Sequence, residues 1–519
     1  MIASLSSLDL QGVSPTSLIA YLALALGFLG LIYQYLLEPL YVGPLAHVPG
    51  PKLAALSWYY LTYYDILLCR NEKISDWHTK YGPVVRIRPN EVTVADPADY
   101  REIYDTKTKY DKTKFFKIFT MYGEDNLFST EKYADHQVMK RKFATAYTKS
   151  NVVATAEGTV RERVAAVLRE MIRVPNHAVD FFVLFDCYAH DVMTRFLYGV
   201  THGTDTIEDP AERPLVVNLK RSQIWSPLWV NFGWLHGSWL LKLIMRHDYE
   251  RNFEAGADVK EAIERKLAEH DADPEKDATP SLYRTLRRAK TDGEPLSRNY
   301  MASEMIDHLK AGQQTTASTL TYIAWRLARH AEWQDRLQKE VRALPIDDAA
   351  NLSLNDLEAC PVLNAVIRET LRLHPAASGR QERIVPPGGH TYAKGIFLPG
   401  GTVVIGPTLV LHHNPQAFPD PHVWYPGRWP QGDKFDPSEE KLKEMEFSFA
   451  PFGHGARICI GQHLAMMELR LLVANIYRRF TLSLSDTCTD YEMYQLGTLA
   501  AVPRGLRCEL WVEKGSLGR

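Results

Sequence analysis

Cysteine is scarce and scattered in this sequence. Six cysteines are spread over 519 residues, and no two of them form a Cys-x-x-Cys pair. This pattern excludes a small scaffold held together by disulfides, and it fits a chain that faces a reducing compartment such as the cytosol. Each cysteine therefore has to be interpreted from its own surroundings.

An excess of charge of either sign is lacking as well. The 60 Lys and Arg residues balance 62 Asp and Glu residues. Without an excess of positive charge, the composition gives no basis for predicting nucleic-acid binding. Length alone suggests about three domains, but no repeat or long linker divides the chain, so one large enzyme fold is also compatible with it.

Charged residues are missing from a run near the N-terminus. The 28 residues between Asp9 and Glu38 carry no charge, and residues 17–37 would form about 31 Å of helix, enough to cross a bilayer. The segment lacks the basic start and the small-x-small cleavage site of a signal peptide, so we predict an uncleaved anchor. Two prolines in HVPGPK, residues 47–52, then prevent the helix from continuing.

One cysteine lies in a loop rich in glycine. Residues 447–461 read FSFAPFGHGARICIG, and the apolar residues that follow recur at helical spacing to about Phe480. Cys459 thus lies just before a helix N-terminus, where backbone N–H groups favour a thiolate. The glycines let the backbone lie flat against a broad partner, Phe452 can screen the sulfur from water, and Arg457 offers a cation. We interpret Cys459 as a metal-binding thiolate.

The pattern Phe-x-x-Gly-x-Arg-x-Cys-x-Gly resembles the haem-binding signature of the cytochrome P450 family. The resemblance implies that Cys459 ligates the iron of haem b, and that Phe452 and Arg457 contact the cofactor. It also implies an α/β, mostly helical fold with small β-sheets, preceded by a single N-terminal transmembrane helix. On this basis we predict an anchor with the start of a hinge over residues 1–48 and a haem-thiolate catalytic domain over residues 49–519.

A second motif lies within a long helix predicted over residues 300–329. Its sequence AGQQTT, residues 311–316, is similar to the family's oxygen-binding motif Ala-Gly-x-acid-Thr-Thr, which implies catalytic roles for Gly312, Gln314 and Thr315. Gln314 stands where the family usually has an acid, and an amide does not exchange protons as a carboxylate does. We therefore expect protons to come through Thr315 and water, or from another acid such as Asp307 or Glu304.

Three further residues match family positions that contact the haem propionates. They are His136, Lys140 and Arg383, and Lys140 replaces an arginine that is common in the family. A lysine pairs as a point charge and not as a planar fork, so its contact is less directional. Without the resemblance, residues 136–140 would be interpreted as a polar helix face.

A structural brace is predicted beneath the haem. Glu369 and Arg372 lie three residues apart on a helix that Pro375 ends, and Arg428 matches the third member of the family's brace. One carboxylate holding two guanidinium groups would form a rigid buried unit. Its expected role is support and not chemistry.

Four other segments are assigned less directly. By the resemblance, the aromatic stretch 112–128 would cover the substrate pocket; otherwise it would form a small hydrophobic cluster under a loop. The stretch 221–247 would form a lid that dips toward the bilayer, or it would pack internally between long helices. Residues 376–379 and 496–501 would wall the pocket. The polar stretch 268–299 is predicted to be a solvated connection.

The function that the resemblance implies is a monooxygenase at the endoplasmic reticulum membrane, with its catalytic domain facing the cytosol. It would insert one oxygen atom from O₂ into a lipophilic small molecule, in secondary metabolite biosynthesis, with electrons from NADPH through a cytochrome P450 reductase. Gln314 leaves open ring closure, desaturation or rearrangement without net oxygen insertion. An alternative of another class is a haem-binding carrier or sensor without turnover.

Overall fold

A long apolar helix precedes a helical body with small sheets. The structure, a computed structural model, describes residues 14–173, 177–235, 238–272, 280–291, 293–346, 351–432 and 436–514. Residues 1–13 and 515–519, the ends of the two predicted domains, lie outside the described residues.

The helices of the first part of the chain are α1 Pro15–Ile32, α2 Lys52–Leu56, α3 Trp58–Ile66, α4 Arg70–Tyr81, α5 Pro97–Tyr104, α6 Tyr133–Ala144, α7 Lys149–Met171, α8 Phe181–Tyr198, α9 Arg213–Arg221 and α10 Ser226–Asn231. Those of the second part are α11 Trp239–Met245, α12 His247–Ala272, α13 Leu282–Arg288, α14 Arg298–Arg329, α15 Ala331–Ala343, α16 Leu354–Ala359, α17 Pro361–Leu373, α18 Thr408–His412, α19 Glu439–Ser448 and α20 Gln462–Arg479.

The strands are β1 Val84–Arg88, β2 Glu91–Val94, β3 Asp111–Lys112, β4 Val179–Asp180, β5 Lys290–Thr291, β6 Glu294–Pro295, β7 Arg383–Ile384, β8 His390–Tyr392, β9 Ile396–Leu398, β10 Val403–Ile405, β11 Phe480–Leu484, β12 Gln495–Leu496, β13 Val502–Pro503 and β14 Glu509–Lys514. The largest sheet has the order β1-β2-β10-β7-β3, a second has β11-β14-β4, and the remaining strands form two-stranded pairs. The pair β2 and β10 is parallel, so the first sheet is mixed.

The N-terminal helix is apolar and unburied. Helix α1 continues as a π-helix over Tyr33–Val42, and no residue of α1 is buried against the body. Among the described residues, Pro15–Val42 is the one helix long and apolar enough to cross a membrane. The predicted apolar helix is therefore confirmed, and it is compatible with a membrane anchor.

Helix α14 runs through the main hydrophobic core. Its residues pack against α8, α12, α15, α17 and α20, which explains why a helix of 32 residues is mostly buried. The prediction of this long helix is confirmed. In the largest sheet, β1 and β2 pair antiparallel on either side of the turn at Pro89.

The prediction of a solvated connection over residues 268–299 is wrong for its middle. Helix α13 buries Leu282, Tyr283 and Leu286 in the main core, because its apolar residues recur at helical spacing between charged ones. Residues 273–279 and 292 of that stretch lie outside the described residues.

The two aromatic stretches differ in exposure. Phe115, Phe116, Phe119 and Phe128 pack edge to face with one another, as a small cluster. In contrast, Trp234 is 79% exposed and Trp239 is 75% exposed, so these two side chains do not serve internal packing.

Candidate active site

The glycine-rich loop presents the Cys459 side chain to an internal space. The Cys459 N–H donates to the Phe452 carbonyl (2.9 Å), which closes the loop ahead of α20. Gly455 has a φ of +65°, and a Cβ there would overlap the Tyr104 carbonyl of α5, so only glycine lets the loop approach so closely. The Cys459 side chain is exposed, yet burial raises the pKa of its thiol, while the Gly461 N–H and Lys140 lower it. The thiol is therefore accessible although protein atoms surround it closely, and we take the space in front of it as the candidate cofactor site.

Basic side chains surround this space. Lys140 of α6 donates from Nζ to the Ala456 carbonyl (2.7 Å), which ties α6 to the cysteine loop. Arg457 donates to the carbonyls of Thr130 (2.9 Å) and Glu131 (2.7 Å), and its Nε is buried without a hydrogen bond to the described residues. These contacts hold both cations at the edge of the space.

Arg383 and Lys112 extend this group of cations. The Arg383 guanidinium donates to the Glu382 carbonyl (2.9 Å) and lies over the Tyr104 ring. Lys112 is 5% exposed and stands directly opposite Arg383 in the β3–β7 pair. Lys112 was missed by the sequence analysis, because the pairing of two short strands so far apart in the chain leaves no local pattern.

The cations are crowded, and burial together with their mutual repulsion outweighs the effect of the nearby carboxylates of Asp307 and Asp111. Burial, and then Arg457 and Lys112, lower the pKa of His136 to about 2. Burial and Arg383 lower the pKa of Arg457 to about 9, and burial with Arg457 and Arg383 lowers that of Lys112 well below its ordinary value. Like charges held this close favour binding of an anion. Haem carries two propionates, so the residues present fit this cofactor.

One face of α14 is open to the same region. Ala311 is exposed while Asp307 and Thr315 are half-buried, and these three residues follow one another at intervals of four. The Thr315 hydroxyl donates to the Ala311 carbonyl (2.8 Å) within an unbroken helix. Gln314 lies off this face: it is buried, and its Nε2 makes no hydrogen bond to the described residues.

Gly312 faces a different neighbour. A Cβ at this position would overlap the Met193 side chain of α8, so the absence of a side chain lets the two helices pack closely. The small residue on the open face is Ala311 instead. A catalytic role of Gly312 stays a prediction.

The two acids proposed as proton sources lie in different surroundings. Burial raises the pKa of Asp307 to about 7, while Lys112 and Lys310 lower it, and the residue is half-buried on the open face. Glu304 is fully buried, accepts a hydrogen bond from the Leu127 N–H (3.1 Å), and has a pKa raised by burial to about 8. Only Asp307 of these two borders the open face.

Tyr147 links α14 to the cysteine loop. Its hydroxyl hydrogen-bonds to His308 Nδ1 of α14 (2.7 Å), and its ring lies 3.9 Å from where a Cβ of Gly461 would be. Burial, and then the charges of Cys459 and Asp307, raise the pKa of Tyr147. The sulfur and the open face of α14 thus border one region.

The predicted brace is confirmed. The Glu369 carboxylate accepts from Arg372 Nη2 (2.8 Å) and Nε (3.0 Å), from Arg428 Nε (3.0 Å), from Trp429 Nε1 (3.1 Å) and from the Tyr425 N–H (2.9 Å). Glu369 and Arg372 are fully buried. The brace joins α17 to the loop around Arg428, and the Trp429 ring of that loop packs against Phe449, ten residues before Cys459.

Taken together, one accessible cysteine, a group of cations and an open helix face with a threonine are the features expected of a haem-thiolate oxidoreductase. The family profile described as Cytochrome P450 matches residues 48–505. The chain belongs to the cytochrome P450 family, and it is an oxidoreductase of the monooxygenase type found among its fungal relatives.

Three relatives illustrate the similarity. The chain is 31% identical over 475 residues to the cytochrome P450 monooxygenase FGM1 of Gibberella zeae, covering 90% of this chain and 92% of that protein. It is 30% identical to the cytochrome P450 monooxygenase aflV of Aspergillus parasiticus, covering 92% of each chain. It is 27% identical to the tryptophan 6-hydroxylase fscE of Fusarium equiseti, covering 88% of this chain and 89% of that protein.

Proposed function

We propose that this protein inserts one oxygen atom from O₂ into a lipophilic small molecule of secondary metabolism. Electrons come from NADPH through a cytochrome P450 reductase. The N-terminal helix holds the protein in the endoplasmic reticulum membrane with the catalytic domain, residues 49–519, on the cytosolic side. The unburied α1 and the exposed Trp234 and Trp239 support contact with a membrane.

The cysteine loop and the cations hold the cofactor. Bound haem b supplies oxygen activation, and thiolate ligation favours cleavage of the O–O bond. Cys459 Sγ is the ligand to the iron, and Phe452 shields that sulfur from the outer surface. Arg457, Arg383, Lys140 and His136 hold the propionates, with Lys112 as a further cation.

Residues of α14 transfer protons and leave room in the site. The Thr315 hydroxyl passes protons to water in the site, and Asp307 supplies them from the same face. Because residues on a helix rise 1.5 Å each, Asp307 and Thr315 are about 12 Å apart along the axis, so water must connect them. Ala311 and Gly312 provide room and close helix packing, and Gln314 contributes no exchangeable acid proton.

The observation that carries this proposal is an exposed Cys459 with the cations Lys140 and Arg457 close to it. The test compares metabolites of the native host with and without Cys459→Ala by untargeted mass spectrometry. Cys360→Ala, at a buried cysteine of the α16–α17 junction, is the control.

We expect Cys459→Ala alone to lose a product and to accumulate a precursor that is lighter by one oxygen atom. A lost product that is isomeric with its precursor, or that differs from it by two hydrogens, would replace hydroxylation by rearrangement or desaturation. An unchanged profile would contradict turnover and support a carrier or sensor.

A further inference from the structure

The backbone that enters the cysteine loop is held by a histidine side chain. Ala450 follows helix α19, which ends at Ser448, and it is only 7% exposed. A backbone N–H buried at such a place needs an acceptor. The Ala450 N–H donates to Nε2 of His412 (3.0 Å), the last residue of α18. The start of the loop therefore depends on one imidazole.

The other nitrogen of this imidazole is bonded to the brace. His412 Nδ1 lies 3.1 Å from the Arg372 carbonyl, and Arg372 Nη1 donates to the His412 carbonyl (2.9 Å). Arg372 is the last residue but one of α17, so the helix itself offers no N–H for this carbonyl. The same arginine donates twice to Glu369. His412 thus lies between the brace and the cysteine loop.

The two backbone partners determine which nitrogen of His412 carries the proton. A carbonyl oxygen accepts, so Nδ1 is the donor, and a backbone N–H donates, so Nε2 is the nitrogen without a proton. The side chain is fully buried, and burial, followed by the charge of Arg372, lowers the pKa of His412 to about 3. The neutral imidazole therefore satisfies one donor and one acceptor at the same time.

Backbone hydrogen bonds connect Ala450 to the cysteine. The Ala450 carbonyl accepts from the Gly453 N–H (3.1 Å), which closes a turn. Within that turn, the Phe452 carbonyl accepts from the Cys459 N–H (2.9 Å). A displacement of Ala450 would therefore displace the turn to which the Cys459 backbone is bonded.

Aromatic packing holds the imidazole from the side. The centroid of the Phe449 ring lies 5.3 Å from that of His412 and 5.0 Å from that of Trp429. Trp429 in turn donates from Nε1 to the Glu369 carboxylate (3.1 Å). The brace and the entry to the cysteine loop thus share His412 and Phe449 as neighbours.

We propose that His412 is a positioning residue for Cys459: its Nε2 fixes Ala450, and through the turn at Gly453 this bond fixes the place of the sulfur. His412 acts through the loop and has no chemical step of its own. This inference rests on the proposed function, in which Cys459 ligates the iron of haem. It also gives a path from the Glu369 brace to the sulfur.

Three substitutions separate the two bonds of the imidazole. His412→Gln can place its amide oxygen near the position of Nε2 and keep an acceptor for the Ala450 N–H. His412→Asn is one carbon shorter, so its amide reaches only the position of Nδ1, and His412→Leu removes both bonds. The matched control is His78→Leu, because His78 is also buried and bonds through both nitrogens, to Gly82 (2.9 Å) and Thr93 (2.8 Å).

The measurement compares loss of thiolate ligation with unfolding of the haem-loaded, full-length protein. Reduced carbon monoxide difference spectra in increasing urea give the ratio of thiolate-ligated to thiolate-free haem, and tryptophan fluorescence gives the unfolding midpoint. Because a buried donor without an acceptor shifts an equilibrium by about tenfold, His412→Asn and His412→Leu should lower this ratio about tenfold before they unfold. His412→Gln should keep the wild-type ratio, and His78→Leu should lower the midpoint without changing the ratio.

A role in folding alone would move the ratio and the midpoint together. Equal ratios in His412→Gln and His412→Asn, or a ratio in His78→Leu as low as in His412→Asn, would overturn the proposal.

Hydrogen exchange supplies a readout that does not depend on the haem spectrum. Exchange of the Ala450 amide, followed by mass spectrometry in deuterated water, should be slow in the wild type and in His412→Gln and faster in His412→Asn. If the His412 variants do not fold, exchange in the wild type decides alone, and a rapidly exchanging Ala450 amide would overturn the proposal.

The proposed function fails on a different result. A wild-type protein whose carbon monoxide spectrum lacks the thiolate-ligated form would overturn the proposed function, and the role of His412 with it. A normal wild-type spectrum with an unchanged ratio in all three His412 variants overturns the positioning role alone.

Discussion

Replacing Glu369 by glutamine should prevent stable haem incorporation, although Glu369 is proposed to touch neither haem nor substrate. Glutamine has nearly the same shape, but its amide nitrogen donates where an oxygen accepted. With the nitrogen at the Oε2 position, the bonds from Arg372 Nε and Trp429 Nε1 are lost, and donors face each other. Three bonds to the remaining oxygen can persist.

The larger effect is electrostatic. Arg372 is fully buried and the Arg428 side chain is 8% exposed, so Glu369→Gln leaves two nearly dehydrated guanidinium groups without their carboxylate. Removing one partner of a buried ion pair costs about 3–5 kcal/mol. At about 1.4 kcal/mol per factor of ten, the folding equilibrium shifts by roughly two to four orders of magnitude, which is a large share of the stability of a typical protein.

The assay compares haem content, from the reduced carbon monoxide difference spectrum, with the denaturant midpoint followed by tryptophan fluorescence. The control is Glu157→Gln, which breaks a half-exposed pair with Arg161 and should cost less than about 1 kcal/mol. Normal haem content and a midpoint equal to that of Glu157→Gln would refute the reasoning that the brace supports the haem site.

Three further predictions concern the site. Gly455→Ala should lose haem, because the new Cβ would overlap a backbone carbonyl. The control is Gly432→Ala, which also has a positive φ (+78°) but open space around it, and it should lower the free energy of unfolding by only about 1 kcal/mol. Haem absorbance and thermal unfolding measure both variants. Thr315→Ala should keep haem and stability but yield less product per NADPH consumed. Thr319→Ala is the control, because it also removes a hydroxyl that donates to a helix carbonyl, and its product yield per NADPH should stay higher. Burial raises the pKa of Glu304 from its ordinary value of 4.5 to about 8, so the folded protein favours the protonated carboxyl. The stability that this proton contributes is fully present below pH 4.5 and is lost as the pH rises to 8. Glu304→Gln should flatten this part of the Tm profile between about pH 5 and 9, and an unchanged slope would contradict the assignment.

The features that sequence could predict are those set by local spacing. Cys459 and its glycines lie within one short loop, and Glu369 with Arg372 lie on one helix turn, so chemistry and periodicity together identify them. The 32 residues of α14 likewise carry their own helical pattern.

The features that sequence could not predict depend on contacts between distant segments. Lys112 joins the other cations of the site because β3 pairs with β7, although the two strands are some 270 residues apart in the sequence. Each strand has only two residues, which is too short to show a pattern. The contact of Gly312 with Met193 depends on how α14 crosses α8, which no motif states. The buried apolar residues of α13 alternate with charged ones, so the segment was predicted to be a solvated connection.

The position of the acid also changes how the departure at Gln314 is understood. In the motif, the residue before Thr315 is expected to supply a proton, and an amide there argues for a reaction with less protonation. The structure buries the Gln314 side chain off the open face and leaves Asp307 on it, with a pKa near neutrality. A carboxyl that titrates near pH 7 can both accept and release protons under working conditions. If Asp307 is the proton source, as proposed above, the acid lies about two helix turns before Thr315 instead of at position 314, and the amide of Gln314 is then no reason to prefer chemistry without oxygen insertion.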